Sequence, residues 1–112
     1  MYQMYGIPNC DTVKKAIKAL EAKNIEFEFI NFKKTPPTNA QIKGWKEQLG
    51  DYPVNTKGPT YRKIKEEFEM ATAAQKIKLL IENSSAIKRP ILEKNGKMIS
   101  IGFDQEKYAN LK

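Results

Sequence analysis

MYQMYGIPNCDTVKKAIKALEAKNIEFEF, residues 1–29, changes its hydrophobic period twice. Met1–Tyr5 is short, apolar and aromatic, the composition of a strand. Gly6-Ile7-Pro8-Asn9 breaks it, because glycine frees the backbone and proline has no N–H to give to a ladder. Val13, Ala16, Ile17 and Leu20 then recur at spacings of 3, 4 and 7, which places them on one face of a helix. Asn9 is positioned to cap that helix and Asn24 to stop it. Ile25, Phe27 and Phe29 alternate with Glu26 and Glu28, the period of a strand with one buried and one wet face. Strand, helix and strand within about 30 residues make a βαβ unit, expected to have a right-handed crossover.

Outward from this unit the pattern changes. Pro36-Pro37-Thr38 interrupts the chain, and Ile42, Trp45 and Leu49 then recur at helical spacing up to Gly50-Asp51-Tyr52-Pro53. Their stripe reads as core. Beyond Thr56-Lys57-Gly58-Pro59, one short helix is expected around Ile64 and Phe68 and another around Ala74, Ile77, Leu80 and Ile81. Residues from about 36 to 84 are therefore expected to be a helical insertion without strand signal. Strand character returns at Pro90–Glu93 and Lys97–Ile101, separated by Asn95-Gly96. That dipeptide accepts positive φ at both central positions of a tight turn, so a hairpin follows. Asp104 then caps a last short helix with Tyr108 and Leu111 on one face. The expectation is a single α/β domain over residues 1–112: βαβ unit, helical insertion, β-hairpin, C-terminal helix.

The 112 residues include 20 Lys plus Arg, 13 Asp plus Glu, one Cys and no His, for a net charge of +7. Without imidazole, Ser-His-Asp and Cys-His-Asn catalysis lack their base, and histidine metal sites lack their ligand. No metal is expected. A single thiol forms no intrachain disulfide and fits a reducing compartment. No stretch approaches the roughly 20 apolar residues of a membrane span, and no basic-then-apolar leader opens the chain. A cytoplasmic protein without membrane association is expected. The positive charge is dispersed: 8 basic and 6 acidic residues up to residue 56, then 12 and 7, with no basic run longer than two. Such a distribution reads as a solvated lysine surface and not as a nucleic-acid footprint.

Eighteen of the twenty basic residues are lysine, and Arg62 and Arg89 are the only arginines. A guanidinium grips an oxyanion through two parallel hydrogen bonds and keeps its charge when desolvated. Arg62 and Arg89 are therefore candidate anion-binding residues, with ordinary surface or ion-pair roles as the alternative. Cys10 stands at the expected start of the first helix, where unpaired N–H groups and the macrodipole favour a thiolate. Lys14 and Lys15 are expected to add to that effect and Asp11 to oppose it, giving a depressed but not extreme thiol pKa. Pro8, Asn9, Asp11 and Thr12 make a polar, turn-like setting that implies a partly accessible sulfur; a buried inert cysteine is the alternative. Asn9 and Thr12 are placed either to bond the sulfur or to cap the helix. Tyr61, beside Arg62, is placed to line a site or to pack.

YGIPNCDTVKKA, NTKGPTYRK, and KRPIL followed by IGFD, in this order and spacing, resemble the family of ArsC arsenate reductases, Spx regulators and YffB-like proteins. The resemblance covers nearly the whole chain and leans to the YffB-like branch, whose hallmark is the NCDT segment. It implies a thioredoxin-like fold with a helical insertion. It also implies that Cys10 is the nucleophile, that Arg62 and Arg89 bind oxyanion, and that Pro90 is a cis-proline facing the cysteine. The chain departs from the reductase pattern His-Asn-Pro-x-Cys-Gly, since Gly6-Ile7-Pro8-Asn9-Cys10-Asp11 has no histidine. Ile101 stands near the position of the family's third oxyanion arginine, which speaks against arsenate reduction itself. Cys10-Asp11-Thr12-Val13 also departs from the Cys-x-x-Cys of most Spx regulators, so an internal disulfide switch is excluded.

A thiolate with no resolving cysteine completes a cycle only with an outside thiol. Glutathione is the expected co-substrate, its carboxylates suiting Lys14, Lys15, Lys57, Arg62 and Arg89, and no bound cofactor is expected. The expected function is a glutathione-dependent thiol reductase. Cys10, Arg62 and Arg89 are its candidate catalytic residues, and Asn9, Thr12, Lys14, Lys15, Lys57 and Pro90 its candidate binding residues. The alternative is a non-enzymatic regulator that binds RNA polymerase, as the Spx branch implies. Direct nucleic-acid binding is a third reading, disfavoured by the scattered lysines.

Overall fold

A computed structural model describes all 112 residues. In chain order the elements are β1 (Tyr2–Gly6), α1 (Asp11–Ala22), β2 (Phe27–Asn31), α2 (Asn39–Leu49), α3 (Pro59–Met70), α4 (Ala73–Glu82), a 3-10 turn (Ser84–Ala86), β3 (Ile91–Lys94), β4 (Lys97–Ile101) and α5 (Gln105–Ala109). They form two compact units, Met1–Phe32 with Arg89–Lys112, and Lys33–Lys88. No helix is long and apolar enough to cross a membrane.

The first unit holds a four-stranded sheet in the order β2-β1-β3-β4. β1 pairs parallel with β2 and antiparallel with β3, so Met4 lies opposite Phe29 on one side and Leu92 on the other. Asn95 and Gly96 carry φ of 53° and 80°, the positive values that the tight β3–β4 turn requires. The helical stripe works as its spacing dictates: Val13, Ala16 and Leu20 pack with Tyr2, Met4, Leu92 and Tyr108 in one apolar cluster. Complete burial of a side chain such as Leu20 contributes roughly 1.5–3 kcal/mol. Ile17, Phe27 and Phe29 are only half-buried against that cluster. For the two phenylalanines the cause is position, since β2 is an edge strand with one neighbour. Asn24 takes φ 56° just past α1 and stops it as expected. Leu111 falls beyond α5, which ends at Ala109, yet it still packs against the core.

In the second unit, Thr38 and Thr72 close capping boxes with Gln41 and Gln75 at the starts of α2 and α4. Gly50, at φ 84°, ends α2. Ile42 and Trp45 are buried, Trp45 to 1% exposure, but Leu49 is 41% exposed and leaves the expected stripe at the helix's last turn. Pro59 at the first position of α3 suits a helix start, where its missing N–H costs nothing. Tyr61, Ile64 and Phe68 form the buried stripe of α3, with Tyr61 and Phe68 edge to face at 5.7 Å. In α4 the buried residues are Ile77, Leu79 and Leu80, while Ala74 is exposed. The only β pairing here is an isolated bridge between Val54 and Ile87.

Candidate functional site

The turn Ile7-Pro8-Asn9 leaves the end of β1 and delivers Cys10 as the N-cap of α1, in extended backbone conformation (φ −95°, ψ 126°). The cap falls one residue later than the asparagine expected for it. Cys10 N–H donates to Ile7 O at 3.3 Å, and Lys14 N–H donates to Cys10 O at 2.9 Å, the first bond of the helix. An N-cap side chain faces the N–H groups two and three residues on, which here belong to Thr12 and Val13. The neutral thiol forms no regular cap hydrogen bond with them. Their effect is on the anion.

Burial alone pushes the half-buried Cys10 thiol up. The Val13 N–H, the Arg89 guanidinium (as hydrogen-bond donor and as charge) and the Thr12 N–H together outweigh it and hold the thiol below its ordinary range. Arg89 reaches the sulfur because of sheet register. Ile91 of β3 lies opposite Tyr5 of β1, so the residues just before β3 arrive beside the end of β1, where the cysteine turn departs. The Arg89–Pro90 peptide there is cis, and Pro90 O accepts from Gly102 N–H at 2.9 Å. Gly6 closes the arrangement from the other side: a Cβ on it would meet Val13 Cγ2 at 2.9 Å, so only glycine lets β1 approach the first turn of α1 this closely.

Cys10, Arg89, Pro90 and Thr12 thus belong to the sheet unit, with Thr12 acting through its backbone and its side chain exposed. Asn9 is exposed and does not cap α1. Lys14 is exposed, and the cation that lowers the thiol is Arg89. Lys15 lines a groove between α1 and α5 with Lys18 and Lys23. Lys57 and Arg62 belong to the helical unit and are exposed around the start of α3, where Arg62 N–H donates to Gly58 O at 3.3 Å. Tyr61 is core, and its burial, with Glu69 and Asp51 nearby, pushes its phenol up. The Val13 N–H is the functional group that sequence reasoning missed, although its offset of three from an N-cap cysteine was there to be used. No group of three acidic or cysteine side chains that would hold a metal ion forms.

Residues 5–111 match the model of the ArsC family. The chain belongs to the ArsC family. Among solved structures it is similar to a YffB protein, 32% identical, covering 97% of this chain and 96% of that one with a TM-score of 0.87. It is similar as well to a possible arsenate reductase from Streptococcus mutans, 31% identical, covering 94% and 92% with a TM-score of 0.79. The regulatory protein MgsR of Bacillus subtilis is 28% identical over 89% of this chain and 81% of its own. The βαβ unit, hairpin and closing helix are the thioredoxin-like architecture of the ArsC family that the three motifs implied. As an ArsC-family protein the chain is thus arsenate reductase-like or MgsR-like.

Proposed function

We propose that the protein is a glutathione-dependent thiol–disulfide oxidoreductase with Cys10 as its single nucleophile. The observation that carries this reading is the Arg89 guanidinium hydrogen-bonded to a half-exposed sulfur that also faces two helix N–H groups. A thiolate stabilised this way is more populated at a given pH than that of an unperturbed cysteine and is also a better leaving group. In the first step it attacks the glutathione sulfur of a substrate–glutathione disulfide. The Cys10–glutathione bond forms, the substrate–glutathione bond breaks, and the substrate leaves as a thiolate that takes a proton from water. In the second step the thiolate of a free glutathione attacks the glutathione sulfur of that adduct. Oxidised glutathione departs and the Cys10 thiolate returns, so one disulfide is reduced and one is formed.

Arg89 steadies the sulfur's charge at both ends of the cycle. Asn9, Thr12, Lys14 and Pro90, all of the sheet unit, are its binding residues, Lys14 suiting a carboxylate of glutathione. The cycle needs a reducing compartment, which the cytoplasm supplies. The resemblance to MgsR favours a second reading, a regulator that binds RNA polymerase without turnover. Two measurements on the intact protein separate them: the pH profile of Cys10 alkylation, and glutathione-dependent reduction of a mixed disulfide. A depressed pKa with turnover lost in Cys10→Ser supports the reductase. A pKa near 8.5 or above with no turnover refutes it. Stoichiometric recovery of RNA polymerase, unaffected by Cys10→Ser, would establish the regulator instead.

A further inference from the structure

An open groove of about 890 Å³ runs between α1 and α5 within the sheet unit. Its charged lining residues are Lys15, Lys18 and Lys23, with no carboxylate among them, and its apolar ones include Ala19, Phe103 and Tyr108. Lys23 Nζ donates to Ala109 O at 2.8 Å and ties the two helices at one end. The Tyr108 ring is 1% exposed, and its hydroxyl is buried with no hydrogen-bond partner. The groove therefore combines positive charge with partly exposed apolar surface at Ala19 and Phe103, while Tyr108 forms its buried floor, and Cys10 is not among its lining residues.

We propose that this groove docks an acidic peptide segment carrying one apolar anchor residue. Charge complementarity names the partner: three lysines and no carboxylate are among the residues that line this one trough. Length agrees with it. At 1.5 Å per residue, Lys15 to Lys23 spans about 12 Å, the reach of roughly four residues of extended chain. Carboxylates on such a strand recur on one face about every 6.7 Å, which lets two of them meet the lysines while an apolar side chain enters over Ala19 and Phe103. An open trough suits a strand of peptide, whereas a small ligand is held in a cavity that encloses most of its surface.

The test titrates the isotope-labelled full-length protein with acetyl-Glu-Asp-Phe-Asp-Glu-amide and follows backbone amide shifts. Shifts confined to α1 from Lys15 to Lys23, Phe103 and α5 are expected, together with about tenfold weaker binding in Lys18→Glu and retained binding in Lys18→Arg. Replacing the peptide's phenylalanine by alanine is expected to weaken binding about tenfold as well. If Lys18→Glu fails to fold, the alanine peptide and a salt series on the wild type decide the matter. No shift at about 2 mM peptide, or shifts elsewhere, overturns the proposal. Equal binding of the alanine peptide overturns it too, by reducing the groove to unspecific charge. Benzoate shifting the same amides equally would make it a small-anion site, and shifts that track protein concentration alone would make it a self-interface; both overturn the peptide assignment.

Discussion

Gly6→Ala tests the packing that holds the helix N–H groups over the sulfur. A Cβ at this position would lie 2.9 Å from Val13 Cγ2, against an optimum of about 3.5–4.0 Å between carbons. One group must therefore move by roughly 0.6–1 Å. Val13 has no free rotamer to escape into, because a β-branched side chain in a helix is confined to essentially one χ1 well, and it is fully buried. Overpacking of this kind costs about 1–3 kcal/mol. Loss of glycine's unfolded-state freedom returns about 0.4–1 kcal/mol, so a net loss centred on roughly 1.3 kcal/mol is expected, or about 5 °C in Tm. The displaced Val13 N–H moves off the sulfur, so the Cys10 pKa rises and alkylation at pH 7 slows. Adding Val13→Ala removes the obstructing methyls. In that background Gly6→Ala is expected to be neutral or slightly stabilising, a coupling of at least about 1 kcal/mol in a double-mutant cycle by urea unfolding. An unchanged Tm in Gly6→Ala, or strictly additive effects, would refute the close-approach argument.

Replacing Arg89 by methionine removes both the charge and the hydrogen bond to the sulfur, so the rate–pH profile of Cys10 alkylation moves to higher pH; Arg89→Lys moves it less. Because the folded-state pKa of Cys10 is depressed, the folded protein binds fewer protons than the unfolded chain between the two pKa values. Its contribution to stability therefore grows with pH through that window, is complete above the unfolded value of about 8.5, and is lost as pH falls through the folded value. Urea unfolding from pH 6 to 9 should show this slope in the wild type and its disappearance in Cys10→Ala. Tyr108→Phe removes a buried hydroxyl without a partner and is expected to be neutral or to stabilise by about 1 kcal/mol in thermal melts. Trp45→Ala, at a site 1% exposed, is expected to cost about 3–5 kcal/mol, and circular dichroism in urea measures it.

Local rules governed the features that were legible in advance. Apolar spacing located α1 and α3, Asn95-Gly96 located the hairpin, and Asp104 caps α5 through the N–H groups of Glu106 and Lys107. Each depends on a few neighbouring residues whose physics travels with them. The departures are of another kind. Leu49 has the right period and lies exposed, and Phe27 and Phe29 are half-wet because no strand covers the outer side of β2. Periodicity says which residues share a face and is silent on what stands opposite it.

For the site, chain order alone determined a thiol at a helix start and two arginines standing out among lysines. Which cation acts on that thiol was decided by strand pairing. Lys14 and Lys15 are near in sequence and do not supply the shift, whereas Arg89 is 79 positions away (89 − 10) and does, because antiparallel β1 and β3 bring it to the end of β1. The physical reason is that a charge acts through distance in space, and the distance between residues 10 and 89 is set by a sheet register that neither segment encodes by itself.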